Sequence, residues 1–164
     1  MPGVTVEELA EHSHVRLVAG LGAGGRLVYE TVLTRTIEPG VHLVLGTPAL
    51  VEGLAAGDRI RVQAGGAFEV VRHGGNICLL VVPKRPPGAD DLGLLRDAFD
   101  ELGGIVELPA DRRFIVITVP AAAGFDAVEA AIDGWTGPRG AHWEYGNVYD
   151  AEGNPLNWWE QQQD

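Results

Sequence analysis

Cys78 and His73 are close in the chain, and Gly74 and Gly75 between them can turn one toward the other. A thiol beside an imidazole is the arrangement of an activated cysteine nucleophile. The neighbours of Cys78 argue against that reading. Ile77, Leu79 and Leu80 form an apolar run, and a thiol buried in such a run stays protonated and unreactive. Cys78 therefore reads as a core residue. Serine chemistry has less support, because the only serine, Ser13, lies outside any nucleophile-elbow pattern. The only lysine, Lys84, falls in the loop Pro83-Lys84-Arg85-Pro86-Pro87.

Metal and nucleotide patterns are equally thin. His12-Ser13-His14, preceded by Glu7, Glu8 and Glu11, would put two imidazoles on one face of a strand, and imidazole suits zinc, copper or nickel. No further ligand follows in a recognisable motif, so neither a resident metal nor a cofactor is expected. Asp150-Ala151-Glu152-Gly153-Asn154 has its glycine at the fourth position, where a calcium loop of the EF-hand type requires the sixth. A hairpin turn through Gly153-Asn154, left by Pro155, explains it better. Gly20-Leu21-Gly22-Ala23-Gly24-Gly25 meets the dinucleotide spacing G-x-G-x-x-G. Such a site needs a helix next, yet Arg26 to Thr34 is β-branched and reads as a strand, which leaves a hairpin loop.

Charge gives a positive lead. The 164 residues carry 12 Lys+Arg and 23 Asp+Glu, a formal net charge of −11. Residues 1–75 hold 8 acidic and 6 basic side chains, whereas residues 76–164 hold 15 and 6, so the excess sits in the second half. That balance repels nucleic acid and anionic lipid, which leaves a basic protein partner or plain solubility. Asp90, Asp91, Asp97, Asp100 and Glu101 are the expected docking residues. Asp97 and Glu101 are a like-charge i, i+4 pair near the end of a helix whose dipole disfavours anions, at a cost of a few tenths of a kcal/mol. Trp158 and Trp159, in a tail beginning at 147, are the expected aromatic anchors.

The elements that would position these residues follow from periodicity. Short Val, Leu, Ile and Thr runs at 14–19, 26–36, 41–45, 58–63 and 67–73 alternate with glycine turns, which predicts a small SH3-like β-barrel over 14–75. Gly65-Gly66 suits a two-residue hairpin turn, and 50–58 a closing helical turn capped by Gly57. After the His73-Gly74-Gly75-Asn76 boundary the order changes to strand 77–82, helix 90–102, strands 105–108 and 113–119, helix 125–135 and strand 142–145. Leu92, Leu95, Phe99 and Leu102 share one helix face, as do Phe125, Val128, Ile132 and Trp135. A βαββαβ, ferredoxin-like sandwich over 76–146 is the result. The fold class is thus α+β, with a barrel packed on a sandwich, an extension at 1–13 and a hairpin and tail at 147–164.

The β-rich front with Gly57-Asp58, the strand Ile77 to Val82, the Asp-rich helix and the closing Trp143-Glu144-Tyr145 resemble the bacterial family known as domain of unknown function 4265, over roughly residues 14–146. The resemblance implies the fold and assigns no catalytic residue.

The leading functional expectation is a non-enzymatic, acidic protein-binding module, such as an inhibitor or immunity protein for a basic partner. A small-molecule sensor is the alternative, with Arg112, Arg113, His142, Trp143 and Tyr145 lining a cleft between the halves. An enzyme with a carboxylate or histidine in such a cleft is the third reading. A single cysteine and the lack of a leader or an apolar span point to the cytoplasm. A homodimer would also cover the apolar second face of strand 77–82.

Overall fold

The computed structural model describes residues 12–162. Glu7, Glu8, Glu11, Gln163 and most of the expected 1–13 extension lie outside the described residues. The chain divides into two compact units, Met1–Gly74 and Gly75–Asp164. Among the described residues it is α+β, with two antiparallel sheets and two α-helices.

The first unit is a five-stranded antiparallel meander in sequential order: β1 (His12–Leu21), β2 (Leu27–Glu38), β3 (Val41–Val44), β4 (Arg59–Val62) and β5 (Phe68–Arg72). Alternation sets its inner face, where Leu17, Val32, Val44, Val51, Leu54 and Ile60 form one cluster. The expected small barrel does not close: β1 and β5 are the two edges of an open sheet, with no ladder between them among the described residues. The sheet curls without closing. The tip of the β4-β5 hairpin reaches β1, so closely that a Cβ on Gly66 would lie 2.9 Å from the Arg16 carbonyl. The hairpin loops also differ from expectation. Ala23-Gly24-Gly25 and Ala64-Gly65-Gly66 are the same tripeptide and form the same three-residue 3-10 turn, with both glycines of each at positive φ.

Residues 50–58 form bends and a turn rather than the expected helical turn. A side chain supplies the acceptors that a helix would otherwise provide. The Glu30 carboxylate accepts the N–H groups of Ala49 (2.8 Å), Leu50 (2.8 Å) and Val51 (3.0 Å). Asp58, fully buried, closes the other end by accepting the N–H groups of Ala55 (3.0 Å) and Gly74 (2.8 Å).

The second unit runs β6 (Asn76–Val82), α1 (Ala89–Asp100), β7 (Ile105–Glu107), β8 (Ile115–Pro120), α2 (Phe125–Arg139) and β9 (His142–Tyr145). Its sheet order is β7-β8-β6-β9, every pair antiparallel. The apolar stripes of both helices join Ile77, Leu79, Val81, Ile115, Ile117 and Val119 in one core. On the opposite face Cys78, Val116 and Thr118 are also buried. The sequence ends α2 at Trp135, ahead of Gly137-Pro138, but the helix continues to Arg139. Proline in a last turn sacrifices one N–H bond, and the turn is held by Thr136 Oγ1 donating to the Ile132 carbonyl (2.8 Å) and by left-handed Gly140 as cap. Among the described residues no helix is long and apolar enough to cross a membrane.

Candidate functional site

Helix α1 carries its core stripe on Leu92, Leu95 and Phe99. The positions opposite, at i, i+4, i+7 and i+11, are Asp90, Leu94, Asp97 and Glu101, all exposed. Asp100 is exposed beside them. Asp97, Asp100 and Glu101 make no ion pair among the described residues, and Leu94, at 60% exposure, stands among them. Asp91 is different. Its carboxylate accepts from Arg139 Nε (3.2 Å) and Nη2 (2.7 Å), and its carbonyl accepts the Trp135 indole N–H (2.8 Å). That residue ties the helices together and leaves the outward acidic face to the other four.

The aromatic residues expected in two separate sites come together in one cluster. Register pairs Tyr145 with Leu79 and Trp143 with Val81, which puts both rings on the helix-covered face of the sheet. The Trp143 indole donates to Asp133 (2.8 Å) and the Tyr145 hydroxyl to Glu129 (3.0 Å), both on α2. Tyr145 meets Phe125, Trp143 and Tyr149 ring to ring, and Phe125 meets Trp159, which meets Trp158. Burial, followed by the hydrogen bond and charge of Glu129, raises the Tyr145 pKa well above its ordinary value. Trp158 is only 5% exposed and donates to the Asn147 carbonyl (2.8 Å), so it is core in its own unit, while Trp159 is half-buried.

The remaining candidates are dispersed. His142 is exposed near Glu144. Arg113 pairs with Asp111 and lies over Phe114. Arg112, at φ +56°, reaches from the β7-β8 loop to donate to the Pro87 carbonyl (3.0 Å). His73 faces Asp58 at 3.7 Å. Cys78 is buried: its N–H donates to Asn147 Oδ1 (3.0 Å), and a Cβ on Gly146 would lie 2.8 Å from its sulfur. His12 and His14 are exposed, and Ser13 Oγ pairs with Thr34 Oγ1 (2.8 Å) in a strand contact. Among the described residues no cluster of metal-ligating side chains forms. Asp150 accepts the N–H groups of Glu152 and Asn154 as a hairpin turn, and the Asn154 bond is the largest cause of its lowered pKa.

One site was not anticipated. Pro83, Lys84, Arg85, Pro86, Pro87 and Gly88 form one wall of a pocket of about 460 Å³, completed by Asp91, Trp135 and Arg139. The only sequence signal was the lone lysine between prolines. Arg139 lay beyond the expected end of its helix.

A crystal structure of a hypothetical protein from Neisseria gonorrhoeae is similar in fold, with a TM-score of 0.65, 14% identity, and coverage of 82% of this chain and 93% of that one. No curated protein matches the chain. The family model described as Domain of unknown function (DUF4265) matches residues 30–143, well over half of the sequence, and the chain belongs to that family.

Proposed function

We propose that this chain is a non-enzymatic, acidic protein-binding module that takes a basic partner on the outward face of α1, as an inhibitor or immunity protein would. Leu94 carries the proposal. It stands at 60% exposure with Asp90, Asp97 and Glu101 around it, and a docking face uses a central apolar contact inside a charged rim. Asp97 and Glu101 add weight, because acid at the end of a helix costs stability that binding would offset. Of the two expected anchors, Trp159 is the one still partly accessible. We read the second unit as ferredoxin-like and the first as SH3-like; the βαββαβ order with its β7-β8-β6-β9 sheet supports the former and the curled meander the latter.

The test is affinity capture of the tagged chain from extract of its source cells at low and high salt. A single basic protein is expected, released by salt, and lost when Asp97, Asp100 and Glu101 become lysine or Leu94 becomes glutamate. Capture unaffected by these changes, or no specific capture at either salt, overturns the reading. A small-molecule role has separate support in the cationic pocket.

A further inference from the structure

We propose that the pocket under the Pro83 to Gly88 loop binds a small organic oxyanion of at least two negative charges, a phosphate ester or a polycarboxylate, through Lys84, Arg85 and Arg139. The distribution of charge comes first. Residues 76–164 contain six basic side chains, Lys84, Arg85, Arg96, Arg112, Arg113 and Arg139. Three of them line this one pocket, against the single carboxylate of Asp91. In a half with 15 acidic residues that concentration of cations stands out, and the excess of cations over Asp91 sets the charge of the ligand.

The cations are also held in place. Arg139 donates through Nε and Nη2 to Asp91 and through Nη1 to the Trp135 carbonyl (2.9 Å), and its guanidinium lies 4.7 Å from the Trp135 ring centre. Those contacts engage three of the five N–H donors of a guanidinium and leave the rest of the fork for an oxyanion. Lys84 lies along the end of α2, where a Cβ on Gly140 would stand 3.3 Å from its Nζ. Neither Lys84 nor Arg85 makes an ion pair among the described residues. Pro83, Pro86 and Pro87 restrict the backbone around them, and Arg112 holds the Pro87 carbonyl. A loop stiffened in this way loses little freedom on binding. The volume of about 460 Å³ falls in the small-ligand range.

Isothermal titration of the full chain in low-salt buffer with inorganic pyrophosphate, and separately with citrate, tests the site. One-site binding is expected with at least one probe; the tighter of the two tells phosphate from carboxylate recognition. The Lys84→Ala/Arg85→Ala variant should bind about tenfold more weakly or worse. An Arg59→Ala/Arg72→Ala variant makes the same charge change in the first unit and should keep its affinity within about twofold. Lys84 and Arg85 are exposed, so thermal unfolding of the first variant should match the parent and certify its fold. Failure of both probes to bind, or equal weakening in the two variants, overturns the proposal. The docking face on α1 is left standing by either result.

Discussion

The Arg139 guanidinium lies 2.7 Å from the Asp91 carboxylate and joins the last turn of α2 to the first turn of α1. Both groups are partly exposed, so the ion pair alone is worth less than about 1 kcal/mol. The cation over the Trp135 ring and the bond to the Trp135 carbonyl add to it. Arg139→Ala should therefore destabilise the protein by about 1–2 kcal/mol in urea unfolding. Arg139→Lys should recover less than half of that, since an ammonium cannot reproduce the fork. An unchanged midpoint in Arg139→Ala would reduce this contact to a surface ornament.

Gly74 and Gly53 should respond oppositely to the same substitution. A Cβ on Gly74 would stand 2.3 Å from the Gly57 carbonyl carbon and oxygen, and backbone cannot move aside cheaply. Gly74→Ala should cost about 3 kcal/mol or more. At Gly53, φ is +82° but the space is open, so Gly53→Ala should cost only the left-handed penalty of about 1–2 kcal/mol. Equal losses in denaturant would show that the contact with Gly57 is not what requires glycine.

The contact of Gly146 with the Cys78 sulfur makes a two-residue cycle. Gly146→Ala alone should destabilise by about 1–3 kcal/mol. In a Cys78→Ala background the same change should cost measurably less, because the sulfur that blocks it is gone. The coupling energy should reach about 0.5 kcal/mol or more; strict additivity would refute the packing account.

Tyr145 predicts an alkaline limit. Its folded pKa is raised above the ordinary 10.0, first by burial and then by Glu129. Below pH 10 both folded and unfolded states hold the proton and its stabilisation is intact. Above that, the unfolded state releases the proton first, and stability falls by up to about 1.4 kcal/mol per pH unit from this group. The loss should begin near pH 10 in thermal unfolding and be shallower in Tyr145→Phe. An identical decline in both proteins would mean that other groups set it.

The acidic face of α1 makes stability and binding separable. Asp97→Lys with Glu101→Lys keeps a like-charge i, i+4 pair but exchanges anions for cations at the helix end, where the dipole favours them. Stability should rise by a few tenths of a kcal/mol while partner capture falls. A variant that loses binding because it unfolds would contradict both halves of this expectation.

Features that depend on neighbours a few positions apart were legible in the chain before folding. Leu92, Leu95 and Phe99, and Val128, Ile132 and Trp135, face the core as their spacing requires, since the period of a helix is a local property. The sequential order of elements in the second unit and the acidic outer face of α1 follow from the same local patterns. The tertiary structure decided whatever joins distant residues. Whether the meander closes depends on how far the whole sheet coils, which no single strand records. The loop at 49–51 takes its form from Glu30, about twenty residues earlier, which the pattern of 50–58, read as a single helical turn, does not record. Trp143 and Tyr145 lie over the helix-covered face because register with β6 chose the side. The pocket is the clearest case. Lys84 and Arg85 gain their meaning only when Arg139 arrives beside them, and Arg139 arrives because α2 runs through Pro138 to a last turn that packing and capping hold in place.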